Sequence, residues 1–306
     1  MRKMKKKITK LLALALLSSC GISKKESRSF EDYLGDIIQK RDVYLDAIPY
    51  HQDQYGFLYS DKCDSVLFTG LADASGVPID LLQARDSSGA WHRRAEQNCY
   101  PNGSGSTISR DMFAGILWSL YTDGDIESLH SIVEYGRSNN WIMGKGSIDR
   151  TYFTPAFQDT LYRLAGKTYK GLPYLWVDPV KDHQRHVVAL NIILRGEAQG
   201  KIDKPMLDLL NSFKESDPRN ALFQYGSARF SNGDQTEAVR LLMDEEAFPS
   251  SGPIGMTCSR WYWEQHQNER FGCREDQKEY NVGGDFIFIA MLLEGARKVS
   301  HVKKEF

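Results

Sequence analysis

A helical spacing of apolar residues recurs from Phe30 onward and limits the fold more than any other feature of the sequence. Over 30–48 the apolar residues recur at the three- and four-residue intervals of an amphipathic helix. Ten further segments of helical length follow, at 61–75, 109–122, 125–140, 155–165, 183–199, 203–214, 218–231, 234–245, 258–266 and 284–298. The sequence therefore predicts a mainly all-α fold.

Short polar loops join several of these segments. The loops 122–125, 216–218 and 231–234 each provide Asp or Asn, whose side-chain oxygens accept hydrogen bonds from the free N–H groups at a helix start. Because short loops make consecutive helices antiparallel, we expect a set of helical hairpins. A small β-hairpin is expected near 77–94, around a turn at 86–89.

Three predicted helices share an aromatic residue followed, two positions later, by a small residue. The small residues are Gly70, Gly115 and Ala290, and each pattern follows an aspartate within four residues: Asp64, Asp111 and Asp285. Small residues allow two helices to approach closely. The helix dipole favours an anion in the first turn, so each aspartate also fits a simple capping role.

The helical hairpins, the helix start at 109–113 and the aromatic-rich connections resemble the six-hairpin (α/α) toroid superfamily, which includes many glycoside hydrolases and polysaccharide lyases. The resemblance covers most of 30–298 as architecture, and no diagnostic signature matches residue by residue. It implies a toroid whose ligand cleft lies where the inner helices begin. A generic all-α protein is the alternative.

Four aspartates are candidate catalytic residues: Asp111, Asp64, Asp285 and Asp149. Glycoside hydrolysis needs two carboxyl groups, one protonated to assist the leaving oxygen and one charged to activate water or attack carbon. Asp111 is favoured because Arg110 and the polar loop 102–106 beside it resemble the wall of a site. For each aspartate a helix cap or a loop ion pair is the competing interpretation.

Two aromatic clusters are candidate substrate-binding sites. Together with Arg110 they comprise Trp91, His92, Arg93, Trp261, Trp263 and Glu264. Sugar rings stack on aromatic faces while charged side chains bind their hydroxyls. A lyase would use a base such as His92 and a cation such as Arg93 to neutralise a uronate carboxylate. The alternative is that the tryptophans belong to the core.

Residues 1–19 have the form of a secretory signal peptide. Six basic residues and no acidic residue precede the apolar run 11–17, which is much shorter than the ~20 residues needed to span a membrane. Residues 17–20, Leu-Ser-Ser-Cys, resemble the lipobox of bacterial lipoproteins, which implies lipidation of Cys20 after cleavage. Gly21 in place of aspartate implies the outer membrane. An ordinary signal peptide is the alternative.

The sequence after the signal divides into a short polar tether at 20–29 and a single domain at 30–306. Removing six basic residues leaves 33 Lys and Arg against 40 Asp and Glu, a formal net charge of −7. An acidic surface argues against nucleic acid as a partner. The expected partners are therefore the membrane, through the lipid, and a glycan or protein.

Four cysteines remain once Cys20 is assigned to lipid: Cys63, Cys99, Cys258 and Cys273. An oxidising compartment permits disulfides. Of the three possible pairings we favour the local one, Cys63 with Cys99 and Cys258 with Cys273. A zinc site is disfavoured because no Cys-x-x-Cys spacing occurs, and we expect neither metal nor cofactor.

These features predict an envelope lipoprotein with a carbohydrate-processing cleft. If it is an enzyme, glycoside hydrolase and polysaccharide lyase are the expected classes. The competing hypotheses are a non-catalytic envelope lipoprotein that binds a glycan or a protein, and a protective lipoprotein of the immunity type. A pair of carboxyl groups in one open groove would favour the enzyme.

Overall fold

The computed structural model describes residues 30–58, 65–96, 103–171, 182–245, 248–252, 255–257, 279–281 and 284–302. Its α-helices are α1 Phe30–Ala47, α2 Ser65–Ala74, α3 Arg110–Asp123, α4 Ile126–Ser138, α5 Pro155–Leu164, α6 Asp182–Gln199, α7 Lys204–Ser216, α8 Ala221–Ser231, α9 Thr236–Leu242 and α10 Gly284–Val302. The mainly all-α prediction is confirmed. The predicted helix 258–266 lies outside the described residues. None of the described helices combines the length and apolar character needed to cross a bilayer.

The predicted loops end and begin helices through their polar and glycine residues. Gly124 ends α3 in the left-handed conformation, with φ of 69°, and the Asp125 side chain accepts a hydrogen bond from Ser128 N at the start of α4. Asn232 ends α8 with φ of 56°. Asp234 accepts from Thr236 N, at 2.9 Å, where α9 begins. The loops 122–125 and 231–234 therefore act as predicted, whereas after 216–218 the cap of α8 is Asn220, which accepts from Phe223 N at 3.1 Å.

The prediction of a β-hairpin near 77–94 is wrong. Leu81–Ala84 forms a 3-10 helix, because the Asp80 side chain accepts a hydrogen bond from Leu82 N and turns the chain. The turn at 86–89 is present, but a single bridge between Arg85 and Trp91 is all the β structure around it.

Two short antiparallel pairs provide the strands of the described residues. Strand β1, Ile142–Lys145, pairs with β2, Arg150–Tyr152. Strand β3, Gly255–Thr257, pairs with β4, Glu279–Asn281. The sequence predicts no strand at the first pair, because strands of three or four residues are too short to show an alternating pattern.

The central helices pack in a closed order. Helix α2 contacts α3, α3 contacts α6, α6 contacts α8, α8 contacts α10, and α10 returns to α2. Trp118 in α3 joins two neighbours, because its indole N–H donates to Leu190 O of α6 at 3.2 Å and its ring meets Phe288 of α10 at 4.9 Å. The remaining helices pack around this core.

Helices α2 and α3 run parallel and nearly touch. A Cβ added to Gly70 would lie 2.4 Å from the Gly115 carbonyl carbon, and one added to Gly115 would lie 2.2 Å from Leu67 O. Farther along both helices, Ser119 Oγ donates to Asp73 Oδ2 at 2.6 Å. The predicted close approach at these two glycines is therefore confirmed.

A buried ionic network fixes α5 to α6 and α7. Arg195 Nε donates to Asp159 Oδ2 at 2.8 Å, and both side chains are about 5% exposed or less. Arg163 Nε donates to the same carboxylate. Arg195 Nη2 donates to Asp203 Oδ2 at 3.2 Å, and Asp203 directly precedes α7. The buried Asp159 carboxylate therefore fixes the core-facing side of α5 to α6.

Candidate functional site

The segment 91–93 lies between the starts of α2 and α3. Arg93 O accepts a hydrogen bond from Val66 N at 3.0 Å, and Arg93 N donates to Thr107 O at 3.1 Å. The sequence placed a cleft at these helix starts. In the structure these backbone bonds tie 91–93 to the start of α2 and to the loop before α3, and the side chains of 91–93 are buried.

Trp91, His92 and Arg93 are buried. Trp91 is 1% exposed and belongs to the hydrophobic core, so it presents no aromatic face to a ligand. His92 Nε2 lies 2.9 Å from Asp86 Oδ2, and Arg93 Nε donates to Ser106 O at 3.2 Å. These contacts hold the turn and the loop before α3 together.

Asp86 is the anchor of this turn. Its carboxylate accepts from Ser88 N at 2.8 Å and from Ala90 N at 3.0 Å, in addition to the contact with His92. Partial burial alone would raise its pKa, but hydrogen bonds from Ser88, His92 and Ala90 lower the pKa of Asp86 to about 2. It remains a carboxylate and acts as a structural acceptor.

Asp111 and Asp149 occupy different kinds of position. Asp111 is half-buried in the first turn of α3, next to the exposed Arg110. Asp149 is exposed in the β1–β2 turn, where its carboxylate accepts from Arg150 N at 2.8 Å. The polar loop from Gly103 onward lies along this hairpin, since Ser147 N donates to Gly103 O at 2.7 Å. Asp111 and Asp149 therefore lie at a helix start and in a turn, and their catalytic role stays a prediction.

The other predicted site residues lie outside what the structure describes. For Asp285 the backbone of α10 is described but the side chain is not. The remainder are Asp64, Trp261, Trp263, Glu264, Cys20, Cys63, Cys99, Cys258 and Cys273. Their roles, including lipidation and disulfide bonding, stay predictions. Within the described residues, no three His, Cys, Asp or Glu side chains come together as metal ligands would.

An open cavity of about 480 Å³ lies where the end of α4, the start of β1, α5 and the segment after α5 meet. We call it the aromatic cavity, after the three aromatic side chains that line it with two cations and an amide: Trp141, Tyr162, Tyr169, Arg137, Lys170 and Gln158. None of these residues was predicted from the sequence as part of a site. This volume falls within the ~300–1,000 Å³ of small-molecule sites.

Trp141 is held in the cavity by an unusual backbone. Asn140 and Trp141 both adopt the left-handed conformation, with φ of 52° and 61°, which bulky residues rarely do. Trp141 N donates to Gly136 O at 2.6 Å, folding the chain back over α4. A Cβ on Gly136 would lie 2.5 Å from the indole ring, so only glycine leaves room for it. Backbone strain of this kind clusters at functional sites.

The two tyrosines and Gln158 complete the aromatic wall. The ring centres of Trp141 and Tyr162 are 5.8 Å apart, and those of Tyr162 and Tyr169 are 5.6 Å apart. Gln158 Nε2 donates to Phe153 O at 2.9 Å, while its Oε1 accepts from the Tyr169 hydroxyl at 3.4 Å. Burial raises the pKa of Tyr169, and Asp159 and Tyr162 add to the rise, so its hydroxyl stays protonated.

A local sign of this site does exist in the sequence. Asn139 and Asn140 end α4, and Trp141 follows directly, so a large aromatic residue occupies a turn rather than the core side of an element. Comparison of the chain with protein-family models, with curated proteins and with solved structures finds no match.

Proposed function

We propose that this chain is an envelope lipoprotein that binds a glycan in the aromatic cavity. The observation that carries the proposal is Trp141, a large aromatic residue held in a strained backbone conformation at the edge of an open cavity. The surrounding structure holds Trp141 in this costly conformation, and residues held in this way are concentrated at functional sites. The lipobox residues before Cys20 support attachment at the envelope.

The chemistry of the cavity suits a saccharide. The apolar faces of sugar rings stack on aromatic side chains, and three such side chains surround this space. Sugar hydroxyls need hydrogen-bond partners at the ring edges. Gln158, the Tyr169 hydroxyl and the Arg137 guanidinium provide donors and acceptors there.

Binding is favoured over hydrolysis because the residues that line the cavity include no carboxylate. Hydrolysis needs two carboxyl groups, held about 5–9.5 Å apart. Of the competing hypotheses, the non-catalytic glycan-binding lipoprotein is the one that these residues support.

The (α/α) toroid remains part of the proposal. The closed order α2, α3, α6, α8 and α10 supports it, and so does the parallel packing of α2 on α3. Helices α6 and α8 are also parallel, since His186 contacts Asn220 near their starts and Glu197 contacts Arg229 near their ends. In this architecture the proposed ligand sits beside outer helices α4 and α5.

Binding to a glycan array, followed by calorimetry with the best oligosaccharide, tests the proposal. Trp141→Ala removes the strained ring, and we expect affinity to fall at least about tenfold, since large aromatic residues dominate binding energy. Tyr50→Ala is the matched control, because Tyr50 is an aromatic residue that is 87% exposed and lines no part of the cavity.

Gly136→Ala is a second variant that leaves every aromatic side chain in place. Its new Cβ displaces the Trp141 ring, while alanine strengthens α4 by about 0.5–1 kcal/mol. We therefore expect weaker glycan binding, and because displacing the ring offsets the gain in α4, thermal melting is measured beside binding to show that the variant is folded. Unchanged affinity in both Trp141→Ala and Gly136→Ala, or release of reducing ends from the bound glycan, would contradict the proposal.

A further inference from the structure

We infer that the aromatic cavity selects saccharides that carry a carboxylate, which Arg137 binds at the cavity edge while the sugar ring packs on Trp141. This inference rests on the proposed glycan-binding function and adds the class of ligand to it. Uronate-containing oligosaccharides have this chemistry, because each uronate places a carboxylate at the edge of a ring with an apolar face.

The charge of the cavity differs from that of the chain. Arg137 and Lys170 line it without any acidic residue, whereas the whole sequence has one more acidic than basic residue. Asp159 follows Gln158 in sequence, but its carboxylate is buried and already bonded by Arg163 and Arg195. A net positive site in an acidic protein favours an anionic ligand.

Arg137 can exchange its present partner for a ligand carboxylate. Its guanidinium lies 3.6 Å from Glu134, and the two side chains are 61% and 58% exposed. Exposed pairs of this kind contribute little to stability, whereas a bidentate arginine–carboxylate contact is among the stronger hydrogen-bonded pairs. Glu134 keeps a second cation, Lys167, at 3.5 Å when Arg137 turns away.

The backbone brings the cation and the aromatic ring together. Arg137 lies in the last turn of α4, and the left-handed residues Asn140 and Trp141 fold the indole back over Gly136, its neighbour in sequence. A ring that packs on Trp141 therefore has Arg137 at its edge. Lys170 lines the same cavity from the segment after α5.

The test compares each acidic oligosaccharide with its own methyl ester, which keeps the rings and removes the charge. Calorimetry on the full chain in detergent would use trigalacturonate, a hyaluronan tetrasaccharide and both methyl esters, with cellotriose and chitotriose as neutral ligands. We expect an acid to bind at least about tenfold tighter than its ester. Arg137→Gln should remove most of that difference, because it lowers the affinity for the acid far more than the affinity for the ester, which loses only a neutral hydrogen bond.

Arg240→Gln is the matched control. Arg240 is an exposed arginine paired with Glu237 three residues earlier on α9, as Arg137 is paired with Glu134, and it does not line the cavity. This variant should keep the full preference for the acid. A preference that disappears equally in Arg240→Gln would overturn the role of Arg137.

The outcomes separate the two proposals. Equal binding of acids and esters, or binding of cellotriose or chitotriose alone, would overturn acid selection and leave glycan binding in place. Binding of none of the six oligosaccharides would overturn acid selection, and the absence of any binding on the glycan array as well would overturn both proposals. An acid preference that survives in Arg137→Gln would overturn the assignment of the carboxylate to that residue.

Discussion

Replacing Gly115 by alanine is expected to force α2 and α3 apart. The added Cβ would lie 2.2 Å from Leu67 O and 2.8 Å from both Leu67 C and Leu67 Cα, and all three are backbone atoms. No change of side-chain rotamer can relieve such a clash. Ordinary contact begins near 3.4 Å, so the two backbones must separate by about 1 Å. All ten residues of α2 are buried, which leaves it no free direction in which to move.

Two opposing effects set the size of the change. Overpacking a close-packed core lowers the free energy of unfolding by about 1–3 kcal/mol, and a clash between backbones belongs at the upper end of that range. Alanine in place of a helical glycine returns about 0.5–1 kcal/mol. We therefore expect Gly115→Ala to lower the free energy of unfolding by about 2 kcal/mol.

Urea unfolding followed by circular dichroism measures this difference. Gly35→Ala is the matched control, because Gly35 is an exposed helical glycine in α1 with no atom within 4 Å of an added Cβ. It should raise the free energy of unfolding by about 0.5–1 kcal/mol. If both variants change stability in the same direction and by the same amount, the close approach of α2 and α3 is not what Gly115 provides.

Two further predictions concern buried charges. Burial raises the pKa of Asp73, with a further contribution from Asp123, so the folded protein binds this proton more tightly than the unfolded chain and loses stability as pH rises above the ordinary value of 3.8. Relative to the wild type, Asp73→Asn should therefore gain stability between pH 4 and pH 7 in urea titrations, and a difference independent of pH would refute this. Arg195→Met leaves the Asp159 carboxylate buried with a weaker set of partners, and we expect a loss of about 3–5 kcal/mol. Because the two charges compensate each other, the double variant Arg195→Met, Asp159→Asn should lose less than the sum of the single variants, and additive losses would count against the coupling.

The helices could be predicted from the sequence because the signals for a helix lie within the helix and at its ends. Apolar spacing marked the faces that pack inward, and residues such as Asp125 and Asn232 marked the ends. The hairpin near 77–94 failed because the hydrogen bond between Asp80 and Leu82 N competes with extended backbone. Local pattern therefore predicted the helices, but it failed where the Asp80 side chain redirected the chain and where β1 and β2 were too short to show a pattern.

The candidate site was harder to predict because it depends on contacts between distant segments. Trp91 sits among polar and charged neighbours in sequence, yet α2 and the loop before α3 enclose it. Trp141 lines the cavity only because two left-handed residues and Gly136 turn its ring. The sequence shows that a tryptophan follows a helix end, but it does not show which way the ring points.

The closed order of the central helices has a consequence for how the chain reaches its native state. Arg41 in α1 bonds Glu294 in α10 at 2.7 Å, across 253 residues, and Tyr44 stacks on Phe286 of the same helix at 4.5 Å. Contacts of such long sequence separation form slowly. A chain that emerges amino terminus first holds α1 and α2 without this partner until α10 has appeared. We expect these contacts to form only after α10 has been synthesised, as one of the slower steps of folding.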